Sequence, residues 1–362
     1  MTIVTTELID AWANDAEGPV ALHLKQKLVS VEGEGAVIFP PTYADIGYNI
    51  DTLSDGTKVV TIDSVGAQAN RIEPIFGREK LKHLVPQINI TYLKNDKTGS
   101  SLSLLEAGHR LGDAVIRSTE LHEKAQKAFK AFQTSNDPTE LAKLGPTSLV
   151  FGVWDSRDTN AKLPRIVQSV IRAWNVDPLK RSAQFNPALD YAALKNGFTD
   201  DEKKKAEGDA GNPLAVRGFV HVPATETHGG VVVHGDIVRD VTVNLVALRR
   251  LGSKDHEKLR RYILGLSLVA AVEPPEAFLR QGCLLVPDEK RPARWQVVDR
   301  HGKRSDLSEI ERIAQEYAKA AAITFVVGDN ETVAFDPDKA KDDVKKADKK
   351  ADKKAKASSS AT

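Results

Sequence analysis

"TSLVFGVWDSRDTNAKLPRIVQSVIRAW" (Thr147–Trp174) is the stretch on which the reading of this chain turns. Its opening, "TSLVFGVW", is an apolar run with branched and aromatic members, which predicts a strand. "DSRDTNAK" is a polar connector and "PRIVQSVIRAW" is strand-like again, so the whole predicts a β-hairpin with a loop longer than a tight turn. Arg157, Lys162, Arg165 and Arg172 are threaded through this apolar company. Cations so placed make a solvated face, an ion-pair lattice or a track for a polyanion.

On the N-terminal side, residues 1–18 predict a short helix, and "VALHLKQKLVSV" (20–31) alternates as a strand does. "GAVIFPPTYADIGYN" (35–49) continues as strand and then a Pro-rich loop. "TKVVTIDSVGAQANRIEPIF" (57–76) predicts strand, turn and short helix, with Ser64 as the N-cap. "PQINITYL" (86–93) is a further strand. Residues 101–119 carry a helical apolar stripe that persists to residue 133, before a turn at Asn136-Asp137-Pro138. On the C-terminal side, residues 175–216 are rich in Pro, Asn, Asp and Lys and predict a mobile insertion. Residues 217–251 predict a hairpin turning at Gly229-Gly230. Residues 256–272 and 306–323 predict helices, with strand-like "EAFLRQGCLLVP" and "ARWQVVD" between them. No G-x-G-x-x-G follows a strand and no G-x-x-x-x-G-K-[ST] occurs. The irregular interleaving suits a split βαββαβ sheet of the α+β class with long insertions better than a doubly wound sheet.

The chain has 362 residues, 41% hydrophobic and 28% charged, the balance of a protein with a core to bury. Net charge is only +1, but Lys339–Thr362 holds nine Lys against four Asp, leaving the body with 42 basic and 46 acidic residues. An anion-binding surface on the body must therefore be local. The tail, with its "KKAD" repeat and no aromatics, predicts a disordered segment over 339–362, either solubilising or weakly attractive to nucleic acid; residues 1–338 form one domain. The lone Cys283 excludes an internal disulfide and a multi-cysteine zinc site. No secretory pattern and no apolar run of ~18 residues is seen, so the expected location is cytoplasmic, with no membrane partner.

For catalysis, the nearest approach to a metal group is His228, His234 and Asp236 in "THGGVVVHGD", whose spacing equally fits histidines on a surface hairpin. His109 beside Arg110 reads as a partly buried, hydrogen-bonded helix residue. Asp155 and Asp158, flanking Arg157, are either general acids or strand terminators paired with nearby arginines. No nucleophile has a base beside it, and the chain is expected to be no enzyme and to need no cofactor or metal. For binding, three stretches supply cations, amides and hydroxyls of the kind that hold phosphates. The turn "DSVGAQANRIE" offers Ser64, Gln68, Asn70 and Arg71 at or near a helix N-terminus, a phosphate seat or a simple cap with a surface arginine. The hairpin offers Arg157, Lys162, Arg165 and Arg172. "DPLKRSAQFNP" (177–187) offers Lys180, Arg181, Gln184 and the ring of Phe185, or is a solvated loop. "RRLGSKDHEKLRR" (249–261) reads as a helix face with i,i+4 pairs.

Taken together, "QANRIEP", "EAGHRLGDAVIRS", "LGPTSLVFGVWDSRDTNAKLPRIVQSVIRAW" and "RSAQFNPALDY" resemble the backbone subunit of a CRISPR surveillance (Cascade) complex, in the type I subtype U (now G) branch of the RAMP superfamily. The resemblance covers roughly residues 20–330. It implies a modified RNA-recognition fold, a ferredoxin-like βαββαβ palm with finger and thumb insertions, the thumb near 175–216. It implies an antiviral role in which copies form a head-to-tail helical filament on one CRISPR guide RNA. The bases are left to pair with target DNA, beside a large subunit and a subunit that processes and holds the guide end. In the superfamily the turn into the first palm helix touches guide phosphates, which here matches Ser64, Gln68, Asn70 and Arg71. The other two stretches resemble branch-specific motifs for RNA and thumb contacts. One departure is that only 6% of residues are aromatic and no Gly-Phe-x-Phe run occurs; for a filament that grips the backbone and leaves bases to pair, missing stacking rings are expected. Some relatives cut RNA with a loop carboxylate, and Asp45 could be argued into that role; the type I resemblance predicts no nuclease activity.

Overall fold

A computed structural model describes residues 1–95, 98–207, 209, 211–274 and 276–345, without the side chains of 223–226 and 254. Alternation sets the central sheet. In β1 (Ala21–Ser30) Leu22, Leu24 and Leu28 point inward and His23, Lys25 and Lys27 outward. β2 (Lys58–Asp63) leads straight into α1 (Val65–Ile72). A helical region follows, including α2 (Leu121–Ser135), which ends at Asn136 in the left-handed conformation. The chain returns in β3 (Val167–Trp174). It then leaves the sheet as a two-stranded arm, β4 (Val176–Phe185) and β5 (Val222–Val233), and re-enters as β6 (Ile237–Asn244). α3 (Glu257–Val272), β7 (Arg294–Val298) and α4 (Ile310–Phe325) complete the frame.

Neighbouring strands run β7-β1-β6-β3-β2, all antiparallel. Taking β1, α1, β3, β6, α3 and β7 as the βαββαβ unit, the spatial order is fourth, first, third, second. That is the ferredoxin-like arrangement, with β2 added at the β3 edge. α1 and α3 pack on one face, and α4 lies against α3. Two apolar clusters fill the space beneath the sheet. One gathers Leu22, Leu24, Val167, Val241 and Val243 with the helices, and the other Leu28, Ile62, Ile171, Ala173 and Ile237. A polar seam runs between them. Arg239, 1% exposed, donates to Ser169 Oγ at 3.3 Å and Gln26 Oε1 at 3.3 Å. Ser169 donates to Gln68 Oε1 at 2.7 Å, and Gln68 to Asp63 Oδ2 at 2.7 Å. Burial pulls the Arg239 guanidinium down to about 10. Among the described residues no helix is long and apolar enough to cross a membrane.

Several elements differ from the expectation. Thr147–Phe151 is helix, not strand. Every residue of it is buried, so the run carries no periodicity, and Pro146 at its N-cap favours the helical start. The hairpin shrinks to Val153–Trp154 against Lys162–Leu163, while β3 pairs with β2 and β6 instead. The stripe over 101–119 breaks into strand Gly99–Ser103, two short 3-10 turns and the helical turn Ala114–Arg117. Gly108, Gly112 and Arg110, whose φ is +52°, interrupt it. The expected mobile insertion is a built arm, capped by helices Asp200–Ala206 and Pro213–Val216 around Ala206, Ala215 and Val220.

Gly229-Gly230 lies inside β5, and the chain turns at residues 234–236. Gly230 is needed for close approach rather than for a turn: its φ is +90°, and a Cβ there would sit 2.5 Å from Val37 Cγ1. "RRLGSKDHEKLRR" staples the N-terminal helix rather than pairing along itself. Arg249 donates to Trp12 O, Arg260 to Asn14 Oδ1, and Arg261 pairs with Asp10. Of the tail, residues 337–345 are helical and Asp343 pairs with Arg117 at 3.1 Å; residues 346–362 lie outside the described residues.

Candidate nucleic-acid interface

α1 begins as its sequence dictates. Ser64 leaves the strand in extended conformation and its Oγ accepts from Ala67 N at 3.2 Å. Asp63, 1% exposed, is the hub just before it. It accepts from Gln68, from Arg71 Nε at 3.1 Å and from Arg280 Nη2 at 3.1 Å, and Arg71 Nη2 also reaches Leu279 O at 2.7 Å. Gln68 is thereby buried with both ends of its amide bonded. Arg71 is half-buried and tied to Asp63. Of the four residues singled out at this turn, Gln68 and Arg71 position the helix and Ser64 caps it, while Asn70 is exposed with its Oδ1 turned to a buried arginine.

The helix leads to a second buried pair. Glu73, 1% exposed, sits 2.7 Å from Arg110, itself 4% exposed. Arg110 Nη1 donates to Gly152 O at 3.2 Å and Nη2 to Asn70 Oδ1 at 3.3 Å, and the guanidinium lies 5.2 Å from the Phe151 ring centroid. Burial pushes the Glu73 carboxyl up to about 7, against the pull of Arg110 and of Thr147 alongside. Burial lowers Arg110 as well; Glu73 opposes this and Arg165 adds to it. Three separated motifs thus meet at one corner: Asn70 and Glu73 from "QANRIEP", Arg110 from "EAGHRLGDAVIRS", and Thr147, Phe151 and Gly152 from the stretch beginning at Thr147. Arg165 is laid over Gly152, where a Cβ would come within 2.7 Å of its Cγ. The rim of the corner is Asn70, exposed and bonded to Arg110, and Arg165, half-buried over Gly152; Trp154, with Lys162 over its ring, and Arg157 are exposed on the hairpin that follows. Among the described residues neither Arg157 nor Arg165 has a side-chain hydrogen bond or ion pair.

Asp155 and Asp158 do not pair with arginine as expected. Asp155, 1% exposed, accepts from Thr159 N at 2.9 Å, Thr159 Oγ1 at 2.6 Å and Gln126 Nε2 at 3.2 Å, while Asp158 meets His122 at 3.2 Å. Burial works against the Asp155 charge, yet these bonds outweigh it and hold the carboxyl below its ordinary range. The loop that carries Arg157 is set by them. His109 is exposed and on no helix; its backbone N–H donates to Asp113 Oδ2 at 3.1 Å.

The remaining candidates stand elsewhere. Arg172 faces outward from β3 near Asp240 of β6, which meets His23 at 3.3 Å. The outward face of β1 thus adds His23, Lys25 and Lys27, three basic residues at alternate positions. Their signal in the sequence is the alternation of "HLKQK" itself. Lys180, Arg181 and Gln184 lie on β4 of the arm, not on a loop, and Gln184 donates to Asn186 at 3.1 Å. His234 is engaged by Asp177 at 2.9 Å, Asp236 by Arg291 at 2.5 Å and by Lys27, and His228 packs on Tyr48. Among the described residues no three His, Cys, Asp or Glu side chains form a group that could hold a metal.

Residues 22–178 match the model of a protein family described as CRISPR-associated protein GSU0053, and no curated protein matches the chain. The matched span opens in β1 and closes just past β3, so it contains α1, the Glu73–Arg110 pair and the whole rim of the corner. The match supports a CRISPR-associated protein.

Proposed function

We propose that this CRISPR-associated chain is the guide-RNA-binding backbone subunit of a type I surveillance complex of the U/G branch. Copies oligomerise head to tail along one guide and leave its bases to pair with target DNA. The observation that carries this reading is the corner: three motifs far apart in the chain meet in a buried Glu73–Arg110 pair with Asn70 and Arg165 at its rim, and Lys162 and Arg157 exposed on the hairpin that follows. Arginines left without carboxylate partners beside an amide suit phosphate oxygens. A single copy needs only this local track, because contacts from many copies on one strand add, and a non-closing heterologous contact yields a helical array. The role requires no catalytic step and no cofactor.

The test is guide-RNA binding by Arg157→Glu/Arg165→Glu, since Arg71→Glu would set a second carboxylate against the buried Asp63 and confuse folding with binding. Affinity measured by anisotropy at physiological salt is expected to fall at least ~10-fold, and the slope of log affinity against log salt to become shallower by about 2, roughly one for each arginine removed. Unchanged affinity and slope would sink the reading.

A further inference from the structure

Of the four tryptophans, Trp12 and Trp295 are buried, whereas Trp154 is 59% exposed and Trp174 40%. Trp154 is not exposed through looseness. Its backbone pairs with Lys162 across the short hairpin, and the preceding Val153 is buried. The following Asp155 is buried and held by Thr159 and Gln126. Gly112 passes so close beneath that a Cβ there would come within 3.3 Å of Trp154 O. A fixed backbone therefore holds an indole outside the core. Lys162 Nζ lies 5.6 Å from the ring centroid, a cation–π contact. The carboxylates nearest in sequence, Asp155 and Asp158, are engaged by Thr159, Gln126 and His122. Ser156 and Arg157 on the exposed loop, with Lys162 and Arg165, make the ring's sequence neighbours polar and cationic rather than apolar. A flat ring beside cations that have no carboxylate partner among the described residues fits a flat ring that brings its own negative charge.

We propose that Trp154 is a stacking platform for one unpaired base of single-stranded RNA, with Lys162 and Arg165 holding the phosphates on either side of that base. This rests on the RNA-binding reading above and adds to it a base contact where only backbone grip was expected from the composition. Stacking on an aromatic face tolerates any base, so the platform sets the spacing of the strand and not its sequence.

The test uses the full-length chain, a short oligo(U) RNA and an abasic ribose-phosphate polymer of the same length. In a Trp174→Phe background, oligo(U) is expected to quench the indole emission and the abasic polymer to leave it. Trp154→Ala is expected to weaken oligo(U) binding ~10-fold and abasic binding not at all, with Trp154→Phe keeping most of the affinity. Arg165→Glu should weaken both polymers. Equal losses on the two polymers, or unquenched emission with affinity intact, overturns the platform and leaves the RNA reading standing. So does loss of self-association by light scattering in Trp154→Ala with RNA titrations unchanged, which would make the indole a protein contact. If wild type binds neither polymer, the RNA reading falls together with the platform.

Discussion

Glu73 shows how much a single side chain commits. Its folded carboxyl sits near 7, above the ordinary 4.5, because burial outweighs Arg110 and Thr147. The folded state therefore holds a proton that the unfolded state gives up earlier. The stability this confers is complete below about pH 4.5 and is lost as pH rises through about 7. Glu73→Gln should remove that loss: the urea midpoint of wild type, compared with the variant, falls across the window by the equivalent of about 3 kcal/mol. A parallel pair of curves would count against it. Arg110→Ala should cost about 3–5 kcal/mol at pH 8, where it strands a buried carboxylate, and clearly less at pH 5, where Glu73 carries its proton. A pH-independent cost would refute the pairing as its cause. At this scale Ser64 was legible as a cap, since caps are local. The Glu73–Arg110 pair was not, because nothing in either segment announces a partner so far along the chain. The burial of Gln68 and Arg71 is hidden for the same reason: beyond their local bonds to Asp63, Gln68 meets Ser169, Arg71 meets Leu279 O and Asp63 meets Arg280, all from distant parts of the chain.

Elements were legible where one face is wet. β1, β3 and α1 show their periods because water meets one side of each. Thr147–Phe151 is buried all round and gives no period, so strand and helix look alike in its letters. The arm misled for a different reason. Beyond Val176, β4 is largely exposed and depends on pairing with β5, and Gly229-Gly230 carries the composition of a turn while serving close packing. Gly230→Ala is expected to force β5 away from Val37 and Ile38, costing about 1–3 kcal/mol locally. Limited proteolysis should then cut the arm faster while the sheet resists. Unchanged cleavage would mean that the strand beside Val37 gives way without loss.

For the whole molecule, the strand order was beyond what periodicity can choose, since the same strands could be laid side by side in many ways. The resemblance supplied that order, and the sheet matches it. The charge distribution, by contrast, was plain from the letters. Residues 346–362 hold six Lys against two Asp. Ending the chain at Lys345 should leave the thermal midpoint unchanged, because Asp343 and its bond to Arg117 remain. It should also make RNA affinity less salt-dependent, with the difference vanishing at high salt. A lowered midpoint would show that those residues brace the body.

The seam beneath the sheet has a consequence for how the chain finds its alignment. β6 reads "IVRDVTVN", and sliding it two residues along β1 would return every side chain to its proper face. Alternation alone could not tell the sliding error from the true pairing. Arg239 can: in the native register it stands opposite Gln26, and two residues either way it would face Leu24 or Leu28. A guanidinium pressed among leucines, cut off from Ser169 and Gln26, is a penalty that no apolar gain nearby offsets. The seam acts as a key in a slot, admitting one alignment of a strand whose own letters would accept several.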